Sequence, residues 1–224
     1  KIEKKWVFLI NFLLIDLSIK LYFFVTKFVF EEFFVFYIPV SIPMSLQKTI
    51  KEPIEFEGVG LHNGINVKIC LKPAKIDSGI KFKRVDIDNN KNIIEADYKS
   101  VNSPILCTKI KNSHGTSVST IEHLMAAFYL EEVDNVLVEI DAPEVPIMDG
   151  SAFDFVEAIR SFGTQEQNAP KKFIKVLKKI EVKDGSKYIS IEPLANDLII
   201  DFEIVYKNPL IRTRRKEFKL SKRN

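Results

Sequence analysis

The sequence has few of the residues that build cross-linked folds or metal clusters. Cys70 and Cys107 are the only cysteines among 224 residues, which excludes a disulfide framework and a CxxC metal motif. Two thiols fit a reducing compartment. The only histidines are His62, His114 and His123, and they form no HExxH motif. Local spacing therefore predicts no complete metal site.

A strong charge of either sign is also missing. The formal net charge of +3 is too small to predict nucleic-acid binding. The basic residues are unevenly placed, because residues 207–224 carry eight of them and one acidic residue. Such a run is typical of a solvated or disordered chain end rather than a binding patch. Apolar content of 46% and charged content of 28% indicate a globular protein with a buried core.

No apolar run is long enough to predict a membrane-spanning helix, even in the most hydrophobic segment. Residues 1–43 hold nine of the eighteen phenylalanines and the only tryptophan, but the uncharged run from Trp6 to Ile15 ends at Asp16. A spanning helix needs about 20 mostly apolar residues. No small-residue cleavage site follows. Two interpretations stay open: the segment lies outside the native fold, for example as translated upstream DNA, or it is a divergent membrane anchor. The first is favoured.

Alternating hydrophobicity after Met44 predicts strands. In "INVKICLKP" the apolar residues share one face, which indicates a half-buried strand. The preceding Asn63–Gly64 pair predicts a hairpin turn, with the partner strand around residues 54–59. "GIKFKRVDI" alternates in the same way. "ILCTKI" and "GTSVST" flank the turn sequence "KNSHG" and predict a second hairpin, with Cys107 inside its first strand.

Helical spacing appears at two places. Ile121, Leu124, Met125 and Phe128 predict a short amphipathic helix that ends near Leu130. The strand "DNVLVEI" and the Asp149–Gly150 turn come next, and they are followed by a second predicted helix. Ser151 caps the start of this helix, and the helix ends at Gly163, where a residue with a left-handed backbone conformation is suitable.

Strands return after residue 170. The polar, proline-containing segment 165–172 predicts a linker. Beyond it, a strand, an Asp184–Gly185 turn and two further strands follow, the last being "LIIDFEIVY". The pattern predicts an α+β fold with two similarly built units, of which the second lacks its helices. We divide the chain into a hydrophobic leader at 1–43, a first domain at 44–169 and the start of a second domain at 170–224.

The adjacent Glu122 and His123 allow two interpretations. In the first, Ser119-x-x-Glu122 is a capping box and His123 is an exposed residue of the first helical turn. In the second, His123 is a metal ligand and Glu122 a general base that acts on water. Spacing alone does not decide between them.

Four stretches taken in order carry a resemblance to a known family: "FEGVGLHNG", "STIEHLMAAF", "DNVLVEI" and "EVPIMDGSA". "KPAKIDSGIKFKRVD", "LCTKI" and "NAPKKFIKV" stand between and after them in the expected spacing. The sequence resembles the bacterial UDP-3-O-acyl-N-acetylglucosamine deacetylases, zinc amidases that commit the cell to lipid A synthesis. The similarity runs nearly continuously from about Ser45 to Pro209, and the basic end beyond Pro209 keeps little of the pattern.

The resemblance implies two similarly built α+β domains, each a β-sheet layered with helices, and an active site between them. It implies a reaction that removes acetate from the 2-amino group of a UDP-linked, 3-O-acylated glucosamine. The roles it implies are a zinc ligand for His123, the general base for Glu122, cleft positions for His62, Leu106 and Cys107, and stacking on uracil for Tyr206.

The same resemblance also implies what this chain lacks. The family's other two zinc ligands lie in a His-Lys-x-x-x-Asp stretch, which is absent here, and no histidine follows His123. We therefore expect a truncated second domain and a chain that is inactive alone. The implied cofactor is Zn²⁺ and the implied partner is the UDP-sugar substrate. No nucleic-acid partner is implied, and the complete protein is expected to be a cytoplasmic monomer.

Three hypotheses follow. The chain is an incomplete deacetylase, or its second half is supplied by another polypeptide, or it is a non-catalytic binding or scaffold protein. In the last case, residues 1–43 would tether the protein peripherally to a membrane. Reading the DNA downstream of Asn224 discriminates between them, because an open frame that encodes His-Lys-x-x-x-Asp would favour the first or the second hypothesis.

Overall fold

The computed structural model describes residues 45–88, 90–103, 106–194 and 198–220. The predictions for residues 1–43 lie outside these ranges. Within them, no helix combines the length and the apolarity needed to cross a membrane. The described residues form an α+β fold of several sheets and two α-helices, as the sequence predicts.

The described residues contain two α-helices, one 3₁₀ turn and fourteen strands, numbered in chain order. The α-helices are α1 (Glu122–Leu130) and α2 (Phe153–Phe162), and a single 3₁₀ turn covers Tyr98–Ser100. The strands are β1 (Leu46–Ile50), β2 (Ile54–Val59), β3 (Asn66–Pro73), β4 (Ile80–Arg84), β5 (Ile93–Glu95), β6 (Val101–Ser103), β7 (Lys109–Lys111), β8 (Ser117–Val118), β9 (Val136–Ile140), β10 (Thr164–Pro170), β11 (Ile180–Asp184), β12 (Lys187–Ile191), β13 (Leu198–Val205) and β14 (Thr213–Leu220).

A five-stranded sheet in the order β2-β3-β9-β4-β5 carries the core. Neighbouring strands in this sheet are antiparallel, except for β4 and β9, which run parallel to each other. Val67, Ile69 and Leu71 are buried on one face of β3, as their alternation predicts, whereas Ile65 precedes the strand and is exposed. The predicted hairpin at Asn63–Gly64 joins β2 to β3, and Gly64 supplies the positive φ of 65°.

The two helices pack together against this sheet. Leu124, Ala127 and Phe128 of α1 are fully buried and share one hydrophobic core with the sheet residues. In α2, Phe155 packs edge-on against Phe56 of β2, with ring centroids 5.0 Å apart. The apolar spacing thus gives each helix the face that covers the sheet.

The start of α2 follows the sequence prediction, except that the helix begins at Phe153 rather than directly after Ser151. Asp149 Oδ1 accepts hydrogen bonds from the N–H and hydroxyl of Ser151, and Ser151 Oγ accepts the N–H of Phe153. The helix itself begins at Phe153 and ends before Gly163, whose φ is 85°. The predicted turn and the predicted helix end are confirmed.

The linker predicted at residues 165–172 is wrong, because most of it is strand β10. This strand pairs antiparallel with β1. Gln167 donates to Ala74 O at 2.7 Å and accepts a hydrogen bond from the buried side chain of Asn135 at 2.7 Å. Gln167 is thus held by side-chain hydrogen bonds, whereas most of the other polar side chains of β10 are exposed to solvent.

Beyond residue 171 the chain forms two separate hairpins, β11–β12 and β13–β14. The turn at Asp184–Gly185 is confirmed. The basic end, residues 207–224, was predicted to be solvated or disordered. The prediction of disorder is wrong for residues 213–220. Residues 213–220 form β14, an exposed strand that pairs along its whole length with β13. Arg215 forms two hydrogen bonds with Asp201 across this pair.

A buried arginine at the end of β4 gives a testable stability effect. Arg84 donates to both carboxylate oxygens of Asp86, at 2.7 and 2.5 Å, and to Ser117 O at 3.0 Å. These hydrogen bonds from Arg84 hold the pKa of Asp86 below its ordinary value of 3.8. Asp86→Asn should lower the free energy of unfolding at pH 7 by about 1–2 kcal/mol, the lower part of the range for charged hydrogen bonds because water screens this side chain.

The pH dependence of that effect has a definite sign. A carboxylate whose folded-state pKa is depressed stabilises the fold above its unfolded pKa, and this contribution is lost as the pH falls through the folded value. In urea titrations the difference between wild type and Asp86→Asn should therefore begin to shrink near pH 3.8 and disappear only below the still lower folded-state pKa. Asp88→Asn, an exposed neighbour, should change stability by less than about 0.5 kcal/mol at either pH. A difference that persists in acid would contradict the ion-pair explanation.

Candidate functional site

Glu122 is buried at the start of α1. It is 4% exposed, and its Oε2 accepts the backbone N–H of Thr108 at 3.0 Å. The helix has Ile121 at its cap position and no side-chain cap, so the capping-box interpretation is wrong. Ser119 instead donates its hydroxyl to Pro143 O. Burial raises the pKa of Glu122 above the ordinary 4.5, against the effect of the backbone hydrogen bonds and of nearby His62.

His123 follows Glu122 in the first turn of α1 and is half-buried rather than exposed. Burial lowers the pKa of its imidazole, and the nearby carboxylate of Asp149 opposes this shift. The loop that begins α2 therefore lies close to the beginning of α1. A neutral imidazole is the form that binds a metal ion, so this environment suits a ligand.

Cys107, which precedes β7, lies near the carboxylate of Glu122. Cys107 is half-buried, and its environment includes Thr120, Glu122 and Glu144. Burial raises the pKa of its thiol, so it remains protonated at neutral pH. Cys107 lies in a bend and not within a strand, which corrects the sequence prediction. Leu106 beside it is 66% exposed.

Glu144 centres a second cluster of hydrogen bonds. Its side chain is 2% exposed, its Oε1 lies 2.7 Å from His62 Nδ1, and the same oxygen accepts the hydroxyl of Thr120 at 2.7 Å. The backbone N–H of His62 donates to both carboxylate oxygens of Glu144 at 3.1 Å, and that of Asn63 donates to Oε2 at 3.1 Å. Burial alone would raise the pKa of Glu144, but the hydrogen bonds from Thr120, His62 and Asn63 together lower it below 4.5.

Three non-glycine residues around these clusters have left-handed backbone conformations. The φ angles are 63° at Leu106, 56° at Thr120 and 52° at Met148. Residues with side chains adopt this region rarely, and such strain collects at functional sites. The three positions directly precede Cys107, the start of α1 and Asp149, so the strained backbone places the residues of the site.

Five of the six residues singled out in the sequence thus lie on segments that meet near the start of α1, namely His62, Leu106, Cys107, Glu122 and His123. The sixth, Tyr206, follows β13 in a separate hairpin, where its N–H donates to Arg212 O at 3.4 Å. Glu144 and Thr120 were not predicted from the sequence. Glu144 was visible inside the motif "EVPIMDGSA", but its contact with His62 spans 82 residues of chain.

The fit of this site to a metal ion is partial. Among the described residues, no group of three histidine, cysteine, aspartate or glutamate side chains is close enough to hold one. A catalytic zinc takes three protein ligands and an open position. The described chain offers the half-buried imidazole of His123 and the buried carboxylate of the preceding Glu122, which fit one ligand and one base of such a centre.

Comparisons with known proteins agree on one family. The family model described as LpxC: UDP-3-O-acyl N-acetylglycosamine deacetylase matches residues 47–224. The match includes the basic end, which corrects the earlier limit at Pro209. The UDP-3-O-acyl-N-acetylglucosamine deacetylase of Pseudoalteromonas atlantica is 42% identical over 177 residues, which are 79% of this chain and 58% of the relative. The protein of the same name from Actinobacillus succinogenes is 44% identical over 168 residues, 75% of this chain and 54% of the relative.

Proposed function

The chain belongs to the UDP-3-O-acyl-N-acetylglucosamine deacetylase family, and from this premise we propose that it carries part of a hydrolytic site. The reaction is hydrolysis of the N-acetyl group of UDP-3-O-acyl-N-acetylglucosamine, a step of lipid A biosynthesis. The observation that carries this proposal is that Glu122 is buried and the next residue, His123, is half-buried, both in the first turn of α1.

Glu122 is the general base in this proposal. Its burial favours the protonated form, so the carboxylate accepts a proton from water more readily than an exposed glutamate does. The hydrogen bond from Thr108 N orients the carboxylate of Glu122. Glu122 thus takes the proton while the water attacks the acetamide carbonyl.

His123 is the zinc ligand that the described residues supply. A bound zinc ion supplies a Lewis acid that makes water more acidic and stabilises negative charge on the carbonyl oxygen. The chain spans 58% of the length of the Pseudoalteromonas atlantica relative. We propose that the remaining ligands, in the His-Lys-x-x-x-Asp pattern, come from the part of such proteins that has no counterpart here, so that this chain is inactive alone.

Substrate contacts come from the segments around the base. His62, Leu106 and Cys107 lie where they can line a cleft beside Glu122, and the exposed side chain of Leu106 suits an apolar contact. Tyr206, at the end of β13, stacks on the uracil ring in this proposal, since aromatic stacking accepts a tyrosine. The complete protein acts as a cytoplasmic monomer.

The test compares the 224-residue chain with a fusion that adds the C-terminal part of the Pseudoalteromonas atlantica protein. We expect the chain alone to bind less than one equivalent of zinc and to release no acetate from the substrate. The fusion should bind one zinc and release acetate. Robust deacetylation by the chain alone would contradict the proposed division of ligands. Zinc-free, inactive fusions that remain folded would favour a binding or scaffold protein.

A further inference from the structure

The imidazole of His62 has one nitrogen directed at Glu144. Nδ1 lies 2.7 Å from Glu144 Oε1 and 3.4 Å from the hydroxyl of Thr120. The histidine side chain is 35% exposed, whereas that of Glu144 is 2% exposed. One edge of the ring is therefore fixed inside the protein while the ring still reaches the surface.

The hydrogen bonds around Glu144 determine which nitrogen of His62 carries the proton. An ionised carboxylate only accepts hydrogen bonds. Thr120 donates its hydroxyl to Oε1, and the backbone N–H groups of His62 and Asn63 also donate to this carboxylate. The nitrogen 2.7 Å from Oε1 must then donate as well. In the neutral ring this leaves Nε2 as the acceptor.

The loop before His62 is shaped around this carboxylate. Gly60 pairs with Pro146 in an isolated bridge, which brings the two segments together. A Cβ atom added at Gly60 would lie 2.7 Å from Glu144 Oε2 and closer still to Asn63 Oδ1. A larger residue at position 60 would force the side chains of Glu144 and Asn63 to shift, so glycine at this position helps to keep Glu144 against the loop.

The hydroxyl of Thr120, two residues before Glu122, lies 3.4 Å from His62 Nδ1, which places the imidazole near the start of α1. We propose that Glu144 is a positioning residue that holds His62 in the Nδ1–H tautomer, so that Nε2 accepts a hydrogen bond from a substrate N–H or O–H beside Glu122. The substrate half of this inference rests on the proposed deacetylase function. The tautomer half rests only on the contacts of the ring.

Nitrogen-15 NMR of the 224-residue chain tests the tautomer directly, because only three histidines need assignment. In the pH range where the ring is neutral, Nδ1 of His62 should show a pyrrole-like shift and Nε2 a pyridine-like shift. Glu144→Gln should mix the tautomers, because an amide can donate to Nδ1 as well as accept from it. Glu139→Gln is the matched control, since that glutamate pairs with Lys72 and Lys83 instead, and it should leave the shifts of His62 unchanged.

Activity of the fusion protein gives the second readout. Glu144→Gln should lower kcat/KM about 10- to 100-fold, the range seen when the partner that orients a functional histidine is removed. Glu139→Gln should keep wild-type kcat/KM. A pyridine-like Nδ1 in the wild-type protein would overturn the inference, and so would a Glu144→Gln variant with unchanged shifts and unchanged kcat/KM. If that variant does not fold, the wild-type shifts still decide the tautomer. An inactive wild-type fusion would refute the deacetylase proposal separately, because the tautomer is read without substrate.

Discussion

Replacing Glu122 by glutamine in the fusion protein should lower kcat for deacetylation about 100- to 10,000-fold, the usual contribution of a positioned general base. Glutamine keeps the size of the side chain and an oxygen that can accept the N–H of Thr108, but it cannot take a proton from water. The residues proposed to contact the substrate are unchanged in this variant, so KM should change much less than kcat. Steady-state kinetics measure both quantities.

Stability measurements separate this loss from misfolding. Glu122 is buried and burial raises its pKa, so removing its charge should not lower the melting temperature. Glu131→Gln, at the other end of the same helix, is the matched control. Its side chain pairs with Arg160 at 2.9 Å, and its loss should leave kcat at the wild-type value. Equal kcat for wild type and Glu122→Gln would remove the base from the proposed mechanism.

Replacing Phe155 by alanine should lower the free energy of unfolding by about 3–5 kcal/mol, as expected when a buried phenylalanine leaves a cavity. Phe155 is fully buried, and its ring contacts Phe56 edge-on. The aromatic pair joins α2 to the five-stranded sheet, so the neighbours of the ring cannot collapse without moving the helix. Urea unfolding followed by circular dichroism measures the effect.

The same helix provides the control for this substitution. Phe153 is the first residue of α2 and is 62% exposed. Phe153→Ala deletes the same atoms from the surface and should change stability by less than about 0.5 kcal/mol. Similar losses for both variants would show that helix propensity, rather than core packing, determines the stability of α2.

Periodicity in the sequence predicted the elements whose environment differs between their two faces. Val67 and Leu71 alternate with polar residues because β3 has one face in the core, and Leu124 and Phe128 recur at helical spacing for the same reason. β10 gave no such signal, because its Gln167 is held by hydrogen bonds to Asn135 and Ala74 rather than by apolar burial. Composition alone cannot distinguish such a strand from a linker.

The candidate site was predictable only in part for a similar reason. Glu122 and His123 are adjacent in the sequence, so their pairing was visible, and the family resemblance gave them roles. Sequence spacing could not bring Glu144 to His62, nor show that Glu122 is buried against Thr108 rather than folded back onto a helix cap. These contacts depend on how loops from distant segments meet, and loop geometry leaves no periodic pattern.

The pairing of β1 with β10 has a mechanical consequence. Among the described residues, β1 is the first strand and β10 is the last strand before the two separate hairpins, and the N–H of Lys171 donates to Ser45 O at 2.8 Å. Ser45 and Lys171 are therefore neighbours. A pulling force applied between them would load the β1–β10 hydrogen bonds before it reached the hydrophobic interior. A reporter fused ahead of Ser45 would likewise be held beside whatever follows Lys171.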